Sequence, residues 1–512
     1  MGRMGFVPPS GGGTPDGAWT LKKLLQGVEV LKADIPRDQP VRALITDSRR
    51  VVPGSIFFAR SGQRTDGLLY AQEAIDRGAV AVVSMNRPGA VKNIAQIQVA
   101  DPRIALAQMA RKFYGFPDRD LKLIGITGTN GKTTVSWLLQ HLLTSGGIKT
   151  GLIGTIHYDL GERTIPAYRT TPESVDSLSM LAQIRDGGGT AAVMEVSSHG
   201  LDQNRVNGFE FDVGVFLNLT SDHLDYHETM ERYFDAKARL FDGRCGTAVP
   251  IGVINVADPW GRRLCEELGS REGCRPFGAG LPEERVAAEE PVFEADGTRF
   301  VLRIGSWRRA VKTRLAGRYN LANTIAAAAA ADALELDPET IADGLESFTS
   351  VPGRMERVEF AGGPTVFVDY AHTDDALDNA LSMLREIAGG RLLTVFGCGG
   401  DRDRSKREKM VAAVQRHSDL AWATADNPRS EALEQIFEDM RKGVTEAGRI
   451  RFVEDRRNAI AEALGFAREG DIVLVAGKGH EVYQEFKDTV IPFDDRAVVR
   501  ELLELKRMGG HA

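Results

Sequence analysis

Cysteine is scarce in this chain: four among 512 residues, at 245, 265, 274 and 398, without paired metal-ligand spacing or a disulfide framework. That excludes a cysteine-built zinc module and a disulfide-stapled secreted scaffold, and it suits a reducing cytoplasm. Each cysteine reads as a small packed residue. Long apolar runs are also missing. The alanine-rich stretch Ala326–Ala331 is broken by Asp332, so nothing reaches membrane-spanning length. Residues 1–17 are rich in Gly and Pro and lack an apolar core, which predicts a disordered tail and not a secretory signal. Positive charge is not in excess: 64 Lys+Arg against 71 Asp+Glu gives a net charge of −7. A general nucleic-acid binder is thereby disfavoured, although the basic cluster Arg402–Arg407 suits a small anion.

What is present is a phosphate loop. Ile124–Thr134 reads IGITGTNGKTT. An apolar run, Leu121–Ile126, predicts a buried strand, and Val135, Leu138, Leu139 and Leu142 fall on one face of the helix that follows. Between them, Gly128, Thr129, Asn130 and Gly131 form a turn whose N–H groups can converge on phosphate oxygens. Lys132 is placed to reach the terminal phosphates of a nucleoside triphosphate, and the Thr133 hydroxyl to meet Mg²⁺, with Thr134 behind them. The helix N-terminus adds its partial positive charge. Ile126 stands at the first glycine position of the common form, so the spacing here is G-x-x-G-x-x-G-K-T.

Length predicts about three domains. We expect a tail at 1–17, an N-terminal domain at 18–110, a central domain at 111–350 and a C-terminal domain at 351–512. The first holds a helix (Leu21–Gly27), strands at Ala43–Thr46 and Ile56–Ala59, and a helix–strand pair from Leu69 to Ser84. In the second, buried strands at Ala191–Val196, Val213–Asn218 and Ile251–Asn255 alternate with helical sequence, which predicts a parallel sheet covered on both faces. Residues 280–315 read as an antiparallel patch, followed by a long helix, Asn320–Leu334. The third repeats the alternation at Thr365–Tyr370, Leu392–Gly397, Leu420–Thr424 and Asp471–Ala476. The fold class is α/β, with a central phosphate-loop parallel sheet and a C-terminal doubly wound, Rossmann-like sheet. Ligands at such sheets bind beyond the C-terminal strand ends.

Two of those strand ends carry Glu195, His199, Asp222, His223, Asp225 and His227. A carboxylate and an imidazole near phosphates suit Mg²⁺, whereas Asp225 and His227 read equally well as helix caps. Farther on, Tyr233–Phe241 (YFDAKARLF) predicts an amphipathic helix with Phe234, Ala238 and Phe241 on one face. Taken alone, Lys237 reads as a solvated charge beside that stripe.

The ordered set GTNGKTT (128–134), TTP (170–172), EVSSHGLDQNRV (195–206), NLTSDHLDYH (218–227), YFDAKARLF (233–241), GRYNLAN (317–323), PGRME (352–356), VDYAH (368–372), FGCGGDRDRSKR (396–407), DNPR (426–429) and AGKGHE (476–481) resembles the Mur ligases of peptidoglycan synthesis. The likeness is greatest to the branch that adds the third peptide residue. It implies three α/β domains, ATP and Mg²⁺ as cofactors, and an ATP-dependent acid–amino-acid ligase acting on UDP-N-acetylmuramoyl-L-alanyl-D-glutamate. Lys132, His223 and Lys237 are implied as catalytic, with Lys237 carboxylated. A carbamate reverses its sign, so that Thr133, Glu195, His223 and Lys237 form the implied metal set.

The resemblance also extends the nucleotide set to Asn320, Arg354 and Asp369. Ser48, Thr170, Thr171, Ser197, Gln203 and Arg205 match positions that hold the nucleotide-sugar dipeptide. Arg402, Asp426, Asn427, Pro428, Arg429, Gly477 and Glu481 match positions around the incoming diamino acid. Asp426–Arg429 follows the pattern of members that add meso-diaminopimelate: the planar Arg429 fork suits a distal carboxylate that L-lysine lacks, and Glu481 suits an ammonium group. The expected protein is cytoplasmic and monomeric, with no nucleic-acid partner and no membrane insertion. Alternatives are an L-lysine-adding member, a folylpolyglutamate synthetase-like ligase and a phosphate-loop ATPase without ligase activity. One departure is visible. Asp374 stands where the family has proline, which predicts a looser loop after VDYAH.

Overall fold

The computed structural model describes residues 19–509 except 61–65, 87–93, 270–272, 279–284, 359 and 361. The tail expected at 1–17 lies outside the described residues. The chain divides into two compact units. One comprises the described residues up to Gly128 with Leu143–Leu219 and His223–Pro276; the other comprises Thr129–Leu142, Thr220–Asp222 and the chain from Phe277 onward.

The first unit holds two sheets. In the five-stranded one the order is Lys32–Asp34, Ala95–Gln98, Ala79–Ser84, Ser55–Ala59, Ala43–Ile45, parallel except for the antiparallel Lys32–Asp34 edge. Ser55–Ala59 is buried along its whole length, as a strand covered on both faces must be. The eight-stranded sheet is centred on Lys122–Thr127, which lies between Ala191–Glu195 and Val213–Phe216, both parallel to it. Thr150–Ile153 and Ile251–Asn255 continue the parallel part outward. His157–Asp159 and Thr164–Pro166 finish one edge antiparallel.

Because the chain leaves the central strand, skips one position to Thr150–Ile153 and then returns to fill the gap, the sheet has a switch point beside Lys122–Thr127. Register aligns Glu195 with Ile126 and Phe216 with Thr127, so the chemistry-bearing residues emerge from one end of the sheet.

The second unit begins its own chain path with an antiparallel three-stranded sheet, Val286–Glu294, Gly297–Ile304 and Trp307–Thr313, where the alternating segments predicted it. The alanine-rich helix spans Arg318–Ala333 and is buried along nearly all of its last three turns. A six-stranded sheet follows in the order Glu356–Val358, Thr365–Asp369, Ile472–Ala476, Leu392–Cys398, Leu420–Ala425, Ile450–Phe452, with only the first pair antiparallel. Its register sets Asp369 against Ala476 and Cys398 against Ala425. The segments that follow these strands, starting at Tyr370, Gly477, Gly399 and Asp426, therefore share one end of the sheet.

Asp374 corrects the expected loose loop. It is the first residue of the helix Asp374–Ile387, capped by Thr373, whose hydroxyl accepts from Ala376 N at 3.2 Å. At that position an acid complements the helix dipole, so the cap supplies the order that proline would have imposed through φ.

Arg456 and Asp495 brace the C-terminal sheet from behind. Both side chains are fully buried and joined bidentately at 2.8 and 2.7 Å, and Arg456 Nη2 also donates to Ala476 O at 2.9 Å. Removing one partner strands a buried charge, so Arg456→Met is expected to cost about 3–5 kcal/mol, read as the shift of a urea unfolding midpoint. Arg456→Met with Asp495→Leu should recover most of that loss; equal midpoints for the single and double variants would contradict the account. Among the described residues no helix is long and apolar enough to cross a membrane.

Candidate functional site

In the first unit Glu195 closes its strand with no exposed surface. Its carboxylate accepts from Thr155 N and Thr155 Oγ1, both at 2.9 Å. Thr155 Oγ1 lies 3.1 Å from Thr170 Oγ1. Thr171 Oγ1 donates to Glu195 O at 2.9 Å and accepts from Ser197 N at 2.9 Å, tying the two predicted segments together. Ser197 caps the helix Ser198–Asp202 by accepting from Gly200 N at 3.1 Å. Arg205 donates to Thr171 O at 2.9 Å and to Gln203 Oε1 at 2.7 Å. Four of the residues matched to the nucleotide-sugar dipeptide, Thr171, Ser197, Gln203 and Arg205, thus form one connected hydroxyl, amide and guanidinium surface. Ser48 is buried elsewhere in the unit and donates to Glu73 Oε2 at 2.7 Å.

Lys237 is 1 % exposed, contrary to its reading as a solvated charge. Helix Met230–Asp242 is capped by Thr229 and by Gly243, and its i, i+4 row Tyr233–Lys237–Phe241 faces inward. Lys237 Nζ donates to Gly128 O at 2.8 Å and lies 4.7 Å from the Tyr233 ring centroid. His223, at φ +53°, stands edge-on to the same ring at 6.0 Å. His199 packs edge-on to His223 and is itself flanked by His227 and Tyr226, and His227 Nε2 meets Ser198 Oγ at 2.9 Å. Burial lowers the His227 pKa to about 4. Among the described residues, no three His, Cys, Asp or Glu side chains converge as a metal site. Glu195 and His223 have metal-ligand chemistry but do not by themselves make a cation site, and a carbamate on Lys237 would supply a further anionic oxygen.

In the second unit Gly131 takes φ +88°, and helix Lys132–Ser145 starts directly after it. Lys132 Nζ donates to Thr129 O at 3.0 Å; Thr133 and Thr134 are buried. Thr129 Oγ1 accepts from Thr220 N at 3.0 Å, and Asn130 Nδ2 lies 3.3 Å from Asp375 Oδ2. Arg354 Nη2 reaches Thr133 Oγ1 at 3.5 Å while its guanidinium stacks on Tyr370, and its buried Nε has no hydrogen-bond partner. Asp369 accepts from Met355 N at 2.7 Å and Ala371 N at 2.8 Å; burial raises its pKa against the opposing pull of Arg354. Asn320 is occupied locally, donating to Ala316 O at 2.9 Å.

The same unit joins the residues matched to the diamino acid. Asn427 Nδ2 donates to Glu481 Oε2 at 2.9 Å, and Lys478 Nζ donates to Asn427 Oδ1 and Glu481 Oε2, both at 3.0 Å. Asp426 is buried, and its Oδ2 has no hydrogen-bond partner. Burial raises the Asp426 pKa, opposed by Lys478 and Arg456. Gly477 has φ +115°, and a Cβ there would come within 2.5 Å of Asp426 Oδ2. Arg429, at φ +53°, donates from Nε to Glu485 Oε2 at 3.1 Å and from Nη1 to Gly400 O at 2.8 Å. Pro428 O packs against Gly400, where a Cβ would sit only 1.8 Å away. Arg402 is exposed.

Sequence reasoning passed over Thr155, Arg60 and Glu485, which no local motif marks, and Glu173, which directly follows TTP. Lys478 was legible between the two glycines of AGKGHE.

Family models match most of the chain: "Mur ligase family, catalytic domain" over residues 40–114, "Mur ligase middle domain" over 126–331 and "Mur ligase, glutamate ligase domain" over 353–479. A curated relative from Solibacter usitatus, named UDP-N-acetylmuramoyl-L-alanyl-D-glutamate--2,6-diaminopimelate ligase, is 46% identical over 465 residues, covering 91% of this chain and 94% of its own. A solved structure of a ligase with that name is 33% identical, with a TM-score of 0.68, covering 96% and 100%. The MurF ligase from Thermotoga maritima in complex with ADP shares the fold at 21% identity and TM-score 0.61, covering 92% and 98%.

Proposed function

We propose, from the premise that this chain belongs to the Mur ligase family, that it is the ATP-dependent ligase joining meso-2,6-diaminopimelate to UDP-N-acetylmuramoyl-L-alanyl-D-glutamate in peptidoglycan synthesis. The observation that carries the acceptor is the unpartnered Asp426 Oδ2. An ammonium group bound there removes the penalty of a buried, half-satisfied carboxylate. Glu481, which accepts from Lys478 and Asn427 through Oε2, stands beside Asp426 as a second carboxylate for the ammonium group. Arg429 holds the distal carboxylate. Arg402, Asn427, Pro428 and Gly477 complete that pocket.

The D-Glu carboxylate attacks the γ-phosphorus of ATP, giving an acyl phosphate and ADP. The free amine then attacks that carbonyl; the C–O bond to phosphate breaks, phosphate leaves and the nitrogen gives up a proton. Activation is needed because a carboxylate is a poor electrophile. Residues 128–134 cradle the phosphates and Lys132 neutralises charge on the transferring group. Asn320, Arg354 and Asp369 complete the nucleotide set, with the orphaned Nε of Arg354 as an available donor. Ser48, Thr170, Thr171, Ser197, Gln203 and Arg205 hold the nucleotide-sugar dipeptide. Glu195, His223 and carbamylated Lys237 would hold Mg²⁺, which when bound neutralises phosphate oxygens; the Thr133 hydroxyl lies in the first turn of the phosphate-loop helix. Domains at 18–110, 111–350 and 351–512 divide these tasks, in a cytoplasmic monomer.

Phosphate release from ATP with the nucleotide-sugar dipeptide, with meso-diaminopimelate or L-lysine added in parallel, tests this reading. Turnover with diaminopimelate alone is expected. Preference for L-lysine would remove the specificity assigned to Arg429, and turnover indifferent to both amines would indicate a bare ATPase.

A further inference from the structure

Glu173 follows the TTP segment and precedes the helix Ser174–Asp186, yet its side chain caps nothing. Three guanidinium groups surround it instead: Arg60 Nη1 at 2.5 Å, Arg169 Nη1 at 2.6 Å and Arg205 Nε at 3.6 Å. They come from separate places in the first unit. Arg60 follows the strand Ser55–Ala59, 113 residues from Glu173; Arg169 precedes Thr170; Arg205 ends the EVSSHGLDQNR segment. Burial acts to raise the Glu173 pKa, but Arg60, Arg205 and Arg169 outweigh it and hold the carboxyl below its usual range. Glu173 is thus an anion held among three guanidiniums, with Asp176, whose pKa burial raises, as the next acid felt by Arg169, so the arginines outnumber the acids.

Two of the three arginines are largely withdrawn from solvent, while Arg169 is 47% exposed. The Arg60 and Arg205 side chains are 23% and 12% exposed, and Arg205 Nε is buried without a hydrogen-bond partner. Like charges gathered at reduced dielectric repel one another unless an anion joins them. Glu173 alone cannot neutralise three guanidiniums, but it can hold their forks in place before a ligand arrives, so that little ordering is left to occur on binding. Bidentate guanidinium–oxyanion geometry favours phosphate and carboxylate alike.

We propose that Arg60 and Arg169, gathered with Arg205 on Glu173, form an oxyanion subsite for the nucleotide-sugar peptide, with Glu173 as the positioning residue. The inference rests on the substrate named above, whose diphosphate and peptide carboxylates offer the same chemistry. Arg60 ties the five-stranded sheet to that subsite, so the N-terminal part of the chain contributes a specificity determinant beyond Ser48.

Steady-state kinetics of Arg60→Gln and Glu173→Gln provide the test. Each is expected to raise KM for the nucleotide-sugar peptide roughly tenfold, leaving kcat and the KM values for ATP and the amine within about twofold. Glu173→Asp, which keeps the charge, should recover most of the loss. A merely structural role would move all three KM values together, and that result, or an unchanged KM for the nucleotide-sugar peptide, would overturn the proposal. Should Arg60→Gln fail to fold, Arg60→Lys keeps the charge but not the fork and is expected to raise the same KM about threefold. Competition by UDP and by N-acetylmuramoyl-L-alanyl-D-glutamate separates the sources: weakened UDP inhibition in Arg60→Gln assigns the diphosphate, and weakened dipeptide inhibition assigns a carboxylate. If neither inhibitor is weakened, the subsite is excluded. Wild-type turnover fixes the amine acceptor independently, so an acceptor other than diaminopimelate leaves this test intact.

Discussion

Lys237→Ala is expected to lose roughly 10²–10³-fold in kcat, the scale associated with removing one preorganised electrostatic group from an active site. An ammonium on the Tyr233–Phe241 row is buried at 1% exposure and finds a backbone carbonyl and an aromatic face as partners. An ammonium in that position cannot ligate a cation. A neutral amine that adds CO₂ gives a carbamate and a proton, converting the donor into an anionic oxygen ligand beside His223. A short carboxylic acid such as formate should enter the space left by the lysine chain and restore part of the rate to Lys237→Ala. Depleting bicarbonate should slow the wild type and leave the alanine variant unaffected. Full activity in Lys237→Ala, or indifference of the wild type to bicarbonate, would refute the carbamate.

The second large effect concerns the amine. Arg429→Met is expected to lower kcat/KM for meso-diaminopimelate by about 10²-fold, near the upper range for a charged hydrogen bond, while ATP affinity stays unchanged. Arg429 is not a loose surface side chain. Its backbone lies at φ +53°, and its fork is held by Glu485 Oε2 and Gly400 O. Such a guanidinium is oriented before the ligand arrives, which is why Arg429→Lys is also expected to be poor: a point charge reproduces neither the fork nor both anchors. Glu485→Gln keeps one acceptor and should cost severalfold less than Arg429→Met. L-lysine lacks the distal carboxylate and leaves the fork unpaired, so the wild type should discriminate strongly against it. Equal kcat/KM values for the two amines, measured with the same nucleotide-sugar dipeptide, would remove Arg429 from this role.

Strand and helix order was legible because local patterning and burial agree. The runs at Ala191, Val213, Leu392 and Ile472 are mostly apolar and fold as strands buried at every position, as parallel strands covered on both faces require. The phosphate loop was legible too, since glycine, lysine and threonine at fixed spacing have chemical meaning without tertiary context. Element ends moved by one or two residues, as hydrogen bonding and not hydropathy sets them.

What the tertiary structure decided was the state of the charges. Lys237 on a mixed helix reads as solvated until the opposing elements are known; packing on both sides makes it buried. Glu481 reads as a lone acid until Lys478 and Asn427 are found on its Oε2, and Asp426 as a turn residue until burial leaves its Oδ2 without a hydrogen-bond partner. Arg60 and Glu173, 113 positions apart, share no local signal at all. Periodicity reports which face of an element is apolar, because that is a property of neighbours along the chain. Which charges meet depends on desolvation and on partners brought from distant segments, and only the folded arrangement supplies those.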